Sequence, residues 1–331
     1  MRHLSKVVWS EGMHLAQHHF QTQTRYFEDA IHFALSQLFV SPYGVAALEL
    51  DDAAIHNAVA SLVHARGVMP DGLPFHIPDA DPGPLSLALA DRFSPVRDSQ
   101  LVMLSISARH DDGLNTSASG DGAGTRFSAE STSVVDEVTG RDAQDVAVAR
   151  KNFTLLLDAD VPEGAVALPI ARVRRDGAGH FEFDADYIPP CLQIGASPAL
   201  MRLLGRLVDI LDAKSASVGG GREADRSSVG QFANHDVASY WLLHAIHAGV
   251  TPLRHHLLAR RTRSEELFVE MSRLAGALCT FALDTHPRTL PTYDHEQLAE
   301  CFGALEKHIR AHLETVIPTS NVRIPLRPPV S

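Results

Sequence analysis

The nineteen histidines of this sequence are the residues that most suggest a catalytic or metal-binding role. His14 and His18, like His308 and His312, are four residues apart, so on a helix each pair would present two imidazoles on one face. The sequence contains no His-Glu-x-x-His motif, however, and no obvious motif supplies either pair with a third ligand. We therefore predict that these histidines are structural or solvated, and that the chain binds no metal.

No other arrangement of reactive residues predicts an active site. The glycine-rich run from Gly120 to Gly124 lacks the following helix and the Gly-Lys-Ser/Thr ending of a phosphate-binding loop. The cysteines Cys191, Cys279 and Cys301 are far apart in the sequence, which is typical of free thiols in a reducing compartment. We predict a protein that is not an enzyme, with no catalytic residues and no cofactor.

Composition excludes further classes of function. The formal net charge of −11 argues against a nucleic-acid partner, because phosphate binding needs clustered Lys and Arg. The most basic run, Arg254 to Arg263, is short and is interpreted as a solvated helix end. No apolar stretch approaches the roughly 18 residues of a membrane span. We expect a cytoplasmic protein that does not insert into a membrane.

The first half of the chain has the pattern of short β-strands separated by turns. Leu104 and Ile106 alternate with Ser105 and Ser107, the period of a strand with one buried face. The predicted strands are residues 45–50, 85–90, 101–109, 153–158, 166–174 and 180–183, with a loop at 114–124. Many short strands with frequent Gly, Pro and Asp clusters indicate a β-sandwich rather than a parallel α/β sheet.

The second half, after Pro189-Pro190, has four apolar stripes at helical spacing, which predict an antiparallel four-helix bundle. The first two stripes are Leu200, Leu203, Leu204, Leu207, Val208 and Leu211, then Phe232, Val237, Tyr240, Trp241, Leu243 and Ile246. The last two step by four and three residues and are Leu267, Met271, Leu274, Leu278 and Phe281, then Leu298, Phe302, Leu305 and Ile309. That spacing is typical both of a bundle core and of a seam between subunits.

Breaks between the stripes predict where the helices end. Gly219 to Gly221 should separate the first two helices, and the second should bend or restart at Thr251-Pro252. Ser264 should cap the third helix. Asp294, with Gln297 three residues later, should cap the fourth.

The most specific pattern is the stretch from Trp9 to Tyr26. A Glu11-Gly12 turn precedes a run whose apolar residues recur at close to helical spacing, which predicts an amphipathic helix. Its predicted apolar face consists of Phe20, Phe27, Ile31, Leu35 and Leu38.

The order of residues in this stretch resembles the start of the TssK family, the baseplate component of bacterial type VI secretion systems, which runs W-x-E-G-M-x-L-x-P-Q-H-F-Q-Q-x-x-R-Y. The matching positions are Trp9, Glu11, Gly12, Met13, Leu15, His19, Phe20, Gln21, Arg25 and Tyr26. Gln17 stands where the family has Pro, and His18 where it has Gln. Later stretches are similar to further family signatures in the same order, namely residues 69–78, 126–136, 168–173, 186–192, 274–281, 290–295 and 301–302.

The resemblance implies a non-enzymatic structural subunit that forms a homotrimer and binds the wedge proteins TssF and TssG. It implies a β-sandwich shoulder domain over residues 1–190 that begins with the N-terminal helix, and a helical neck over 191–317. The family continues into a head domain that contacts TssL and TssM of the membrane complex, whereas here residues 318–331 would form only a linker. Wedge binding and trimerisation are therefore the expected functions.

The residues expected to support wedge binding are Trp9, Glu11, Gly12, Met13, His19, Phe20, Gln21 and Arg25. An alternative interpretation is that apolar residues such as Phe20 only seal the helix onto the β-domain. Two alternative functions are a phage-tail adaptor and, on histidine abundance alone, a His-dependent metal hydrolase.

Overall fold

The structure is a computed structural model that describes residues 5–83, 86–118, 124–225, 234–281 and 284–315. It is a mixed α+β protein, and the chain divides into two compact units. The first unit is Met1–Ala199 together with His295–Leu298, and the second is Leu200–Asp294 together with Ala299–Ser331. Among the described residues, no helix is long and apolar enough to cross a membrane.

The first unit contains two described helices and a series of mostly antiparallel strands. The helices are α1 (Gln17–Leu38) and the short α2 (Asp52–Ile55). The strands are β1 (Gly44–Leu50), β2 (Val59–Ala60), β3 (Leu62–Val68), β4 (Pro74–Ile77), β5 (Leu87–Ala88), β6 (Ser99–Ser107), β7 (Thr116–Ser117), β8 (Phe127–Val134), β9 (Gln144–Lys151), β10 (Thr154–Leu157), β11 (Ala165–Arg175) and β12 (Phe181–Phe183).

These strands form four described sheets, with orders β1-β3-β4, β10-β6-β11-β12, β2-β5 and β7-β8-β9. The antiparallel pairing of β6 with β11 runs from Ala165 opposite Ser107 to Arg174 opposite Ser99. On β6, Leu104 and Ile106 are buried as the alternation predicts. Ser105 is buried as well, because the strand is covered on both faces.

Several strands that sequence reasoning did not predict are present. β8 and β9 form an antiparallel ribbon whose residues are mostly half-buried or exposed. Without a buried face, such a ribbon has no apolar alternation to detect. The segment predicted as a loop at 114–124 contains β7, which pairs in parallel with the start of β8. Residues 119–123 of that prediction lie outside the described residues.

Four described helices lie wholly or almost wholly in the second unit: α3 (Pro198–Asp225), α4 (Asn234–Ala259), α5 (Ser264–Leu278) and α6 (Leu298–Thr315). The predicted separation at Gly219 to Gly221 is wrong, and so is a restart at Thr251-Pro252, one of the two outcomes predicted there. α3 continues through Gly219 to Gly221, and α4 continues through Pro252, where the Thr251 hydroxyl donates to the His247 carbonyl oxygen at 2.9 Å. A helix interior tolerates glycine at a cost of about 1 kcal/mol each, which packing along the rest of a long helix can offset.

The buried face of α4 also differs from the predicted stripe. Tyr240 and Trp241 are 60% and 61% exposed, and Val237 is 49% exposed. The buried residues of this helix are instead Ser239, Leu242, Ile246, Val250 and Leu253. Among the predicted members of the stripe, Ile246 is buried, and Phe232 lies outside the described residues.

Helices α5 and α6 bury the stripes that step by four and three residues. Leu267, Met271, Leu274 and Leu278 are buried on α5, and Leu298, Phe302, Leu305 and Ile309 are buried on α6. Phe281 is half-buried in a 3-10 turn after α5. The predicted caps differ from the structure. Arg263 occupies the N-cap position of α5, and α6 begins at Leu298, four residues after Asp294.

Candidate functional site

The N-terminal stretch that carries the family-like motif lies mostly at the surface. Gly12 adopts φ +78° in the turn before α1, a conformation that favours glycine. The Trp9 ring lies 6.1 Å from the His19 ring and 6.2 Å from the Phe20 ring, so these three side chains form an aromatic cluster at the start of the helix. His19 also accepts a hydrogen bond at Nδ1 from the Ala16 backbone N–H at 3.1 Å.

Most of the predicted motif residues are accessible to a partner. Trp9 and Phe20 are 50% and 56% exposed, and the rest of the exposed set is Glu11, Gly12 and Gln21. Met13, His19 and Arg25 are half-buried. Phe20 is therefore more exposed than a residue that serves only to seal the helix onto the β-domain.

Helix α1 is held to its domain by an ion pair and by close packing against a glycine. The Asp29 carboxylate accepts two hydrogen bonds from the Arg109 guanidinium, at 3.1 and 3.2 Å, and Asp29 is the buried residue of this helix. One turn further on, the His32 ring packs against Gly72, which has φ +94° and no room for a side chain. Burial alone would lower the pKa of Arg109, but the hydrogen bonds and charge of Asp29 outweigh it, so that pKa is raised.

The apolar face of α1 points away from this anchor. Asp29 lies two residues from both Phe27 and Ile31, which at about 100° per residue puts it on the opposite side of the helix. Phe20, Phe27, Ile31 and Leu38 are 56%, 55%, 61% and 73% exposed. Of the five residues of the predicted apolar face, only Leu35 is half-buried. The amphipathic helix is confirmed, but it presents its apolar face outward.

Other residues of the family-like signatures anchor the loop beside α1. Arg126, which is buried, donates to the Asp71 carboxylate at 2.6 Å and to the Ser107 carbonyl oxygen at 2.8 Å. Asp71 precedes Gly72, the residue against which His32 packs. This pair joins the 69–78 signature to the 126–136 signature, so residues far apart in sequence support one docking position for α1.

Apart from Leu298, the first residue of α6, the α5 and α6 seam residues that are buried lie in the second unit. The Phe268 ring lies 5.9 Å from the Phe302 ring and 5.4 Å from the Tyr293 ring. Ser264, the predicted cap, instead shares a hydrogen bond of 2.8 Å with the Tyr293 hydroxyl. These contacts support the bundle-core interpretation of the four-three spacing on α5 and α6.

The predicted histidine pairs behave differently from each other. His14 lies before α1 begins, so His14 and His18 do not share a helical face. On α6 the His308 and His312 rings stack with 4.0 Å between centroids. Burial, and then the charge of His312, lower the pKa of His308. His308 Nε2 faces the Ala275 carbonyl oxygen at 3.3 Å and the Cys279 sulfur at 3.5 Å.

A histidine group that sequence reasoning missed lies on the β3–β4 hairpin. His64, His76 and Asp79 place one ligand atom each within 4.8 Å of one another. The two histidines are twelve residues apart, and it is the strand pairing that brings them together. A strand-turn-strand pattern around Asp71-Gly72 is the signal that would have suggested this proximity.

Known proteins share both the sequence and the fold. The family described as "Bacterial Type VI secretion, VC_A0110, EvfL, ImpJ, VasE" matches residues 19–330. The chain is 32% identical over 326 residues to the type VI secretion system baseplate component TssK1 of Pseudomonas aeruginosa. That alignment covers 97% of this chain and 72% of the relative.

Three solved structures are similar. A chain of a TssK-TssF-TssG baseplate subcomplex, determined by cryo-electron microscopy, has a TM-score of 0.81 and 26% identity, and the match covers 94% of this chain and 99% of that one. A crystal structure of TssK has a TM-score of 0.83 and 26% identity, covering 93% and 72%. A chain of a type VI secretion baseplate complex has a TM-score of 0.86 and 27% identity, covering 96% and 71%.

Proposed function

Because this chain belongs to the TssK family of type VI secretion baseplate components, we propose that it is a homotrimeric adaptor that binds TssF and TssG. The family is one of structural components and is not an enzyme class, so the metal hydrolase alternative has no support from it. One observation carries the trimer proposal most directly, namely the exposed apolar face of α1.

The exposed residues of α1 have the spacing of a coiled-coil seam. Phe20, Phe27, Ile31 and Leu38, with Thr24 and Ala34 between them, step by four and three residues along the helix. Such a seam packs well against copies of itself, because knobs from one helix enter holes in the next. Contiguous apolar surface of this kind on a monomer is typical of an interaction site. The seam supports a partner that is another copy of this chain.

The anchor on the other side of the helix supports the same proposal. Asp29 holds α1 to its domain through its ion pair with Arg109, and His32 packs against Gly72, while the seam stays uncovered. A helix held in this way is pre-positioned, so association does not have to order it first. The β-sandwich shoulder over residues 1–190 and the four-helix neck over 191–317 remain part of the proposal. The seam would join copies of this chain to one another.

The aromatic cluster of Trp9, His19 and Phe20 is our candidate for the wedge-binding surface. A similar structure comes from a subcomplex that contains TssF and TssG, which supports the same partners for this chain. Trp9 is half exposed, and large aromatic side chains with one free face are enriched at the energetic centres of interfaces. We place this assembly at the cytoplasmic face of the inner membrane, where the family resemblance predicts it.

The test replaces exposed residues without touching the anchor. Phe27→Asp combined with Ile31→Asp puts two charges into the seam and should reduce the mass in light scattering from three copies to one. Gln37→Asp is the control, since Gln37 is exposed on the same helix, lies off the seam and is two turns away from Asp29. An unchanged mass in the seam variant, with an intact circular dichroism spectrum, would contradict the trimer proposal.

Wedge binding is measured separately with Trp9→Ala. This variant should keep the wild-type mass and lose co-purification with a TssF-TssG complex. Full co-purification by folded Trp9→Ala would remove the aromatic cluster from the proposed interface. Co-purification with neither the wild type nor the variant would reject the wedge function and favour the phage-tail alternative.

A further inference from the structure

His64 on β3 and His76 on β4 point ring nitrogens at each other. Their Nε2 atoms lie 3.4 Å apart, and the two rings are nearly perpendicular. The Asp79 carboxylate lies 2.9 Å from the same Nε2 atom of His76. Among the described residues, this is the group of three His, Cys, Asp or Glu side chains that could hold a metal ion.

The spacing of these atoms fits a tetrahedral transition-metal ion. Zinc binds imidazole nitrogen at about 2.0–2.1 Å, and a tetrahedron with such bonds separates its ligand atoms by about 3.3–3.4 Å. The two Nε2 atoms are already at that separation. A small outward movement of the exposed Asp79 side chain would bring its oxygen to the same distance from His76 Nε2, and the three ligand atoms already lie within 4.8 Å of one another. We propose that His64, His76 and Asp79 form a binding site for a divalent transition-metal ion such as Zn²⁺.

The backbone around His76 and Asp79 is held in place by a turn. The His76 carbonyl oxygen accepts hydrogen bonds from the N–H groups of Ala80 at 2.9 Å and Asp81 at 3.0 Å. The Asp81 carboxylate in turn accepts from the His76 N–H at 2.9 Å and from the Lys151 ammonium at 2.7 Å. Because Asp81 is occupied in this way, Asp79 is the carboxylate of the turn that remains for a metal. A ligand set held in position before binding loses little entropy on binding.

The chemistry of the ligands selects the class of ion. Two imidazoles and one carboxylate suit zinc and its late first-row neighbours, whereas calcium and magnesium prefer all-oxygen sites. Glu49 lies opposite His64 in the strand register and Arg66 lies opposite His76, so the charges of these neighbours offset each other. Three protein ligands leave one tetrahedral position for water. The ion would tie β4, at one end of its described sheet, to β3 and to the following turn.

Zinc titration of the tag-free, chelator-treated full chain tests the site. Competition with a chromophoric zinc chelator should show one more bound Zn²⁺ in the wild type than in the His64→Gln/His76→Gln variant. Asp79→Asn, at an exposed position, should weaken zinc binding. Loss of an outer-shell partner costs roughly 10–100-fold in metal affinity, and loss of the directly bound Asp79 carboxylate should cost at least as much. Substitution with Co²⁺ should give the intense visible absorption of a tetrahedral ion in the wild type.

His180→Gln is the matched control. His180 also lies beside a carboxylate, with its Nδ1 at 3.3 Å from Asp176, but belongs to no described group of three ligands. It should therefore bind zinc as the wild type does. An equal number of bound Zn²⁺ ions in the wild type and the double-histidine variant would overturn the proposal. A loss of bound Zn²⁺ in His180→Gln equal to that in the double-histidine variant would also overturn it. Either result means scattered binding to surface histidines.

Discussion

Removal of the Asp29 carboxylate should loosen α1 while the sheets of the same unit stay folded. Two charge-assisted hydrogen bonds join Asp29 to Arg109, and the side chains are 8% and 25% exposed. Breaking a fully buried ion pair costs about 3–5 kcal/mol. Because a quarter of the Arg109 side chain is exposed to water, we reduce the expected cost of breaking this pair to about 2–3 kcal/mol. At tenfold per 1.4 kcal/mol, the population of undocked α1 should rise about 30- to 150-fold.

Hydrogen exchange followed by mass spectrometry measures that population directly. In Asp29→Ala, peptides from Gln17–Leu38 should exchange faster by this factor, whereas peptides from β6 and β11 should be unchanged. Glu130→Ala is the control, because it breaks the exposed ion pair with Arg150 and should alter neither region. All samples share one protein concentration, so self-association contributes equally.

A double-mutant cycle separates the ion pair from other effects of the substitution. If the pair acts as a unit, Arg109→Ala alone should accelerate exchange like Asp29→Ala, and the double variant should be no worse than either single variant. Additive effects of the two substitutions would refute the reasoning. So would wild-type exchange of α1 in Asp29→Ala, since the helix would then be held by contacts other than this pair.

Two further predictions concern the packing of each unit. Gly67→Ala should destabilise the protein by about 1–3 kcal/mol in urea unfolding, because a methyl group there collides with the Gly44 carbonyl oxygen on the paired strand. Gly83→Ala should be close to neutral, because its methyl group meets Ile77 Cγ2 at 3.9 Å, an ordinary van der Waals distance. The lowered pKa of His308 means that the folded state disfavours protonation of this side chain. The stabilisation by neutral His308 is therefore fully present above pH 6.5, and it is lost as the pH falls below that value through the folded pKa. His308→Gln should therefore make the acid loss of thermal stability shallower; parallel pH profiles for His308→Gln and the wild type would contradict this.

The sequence by itself determined the elements that depend on local pattern. The alternation on β6 and the four-three stripes on α5 and α6 predicted strands and helices whose apolar residues are buried in the structure. The ordered motif from Trp9 to Tyr26 identified the family, because such a motif is more specific than any one residue within it. Periodicity reports which face of an element is apolar, and for most elements that face is the one that packs.

Only the tertiary structure decided what each face meets. Phe27 and Ile31 have the same periodicity as a core stripe, but Asp29 on the opposite side is the group that docks, and this depends on Arg109, eighty residues away. His64 and His76 likewise become neighbours only when β3 pairs with β4. Contacts between distant residues depend on register and on how elements close on one another. Hydrophobic periodicity within a single element carries no information about either.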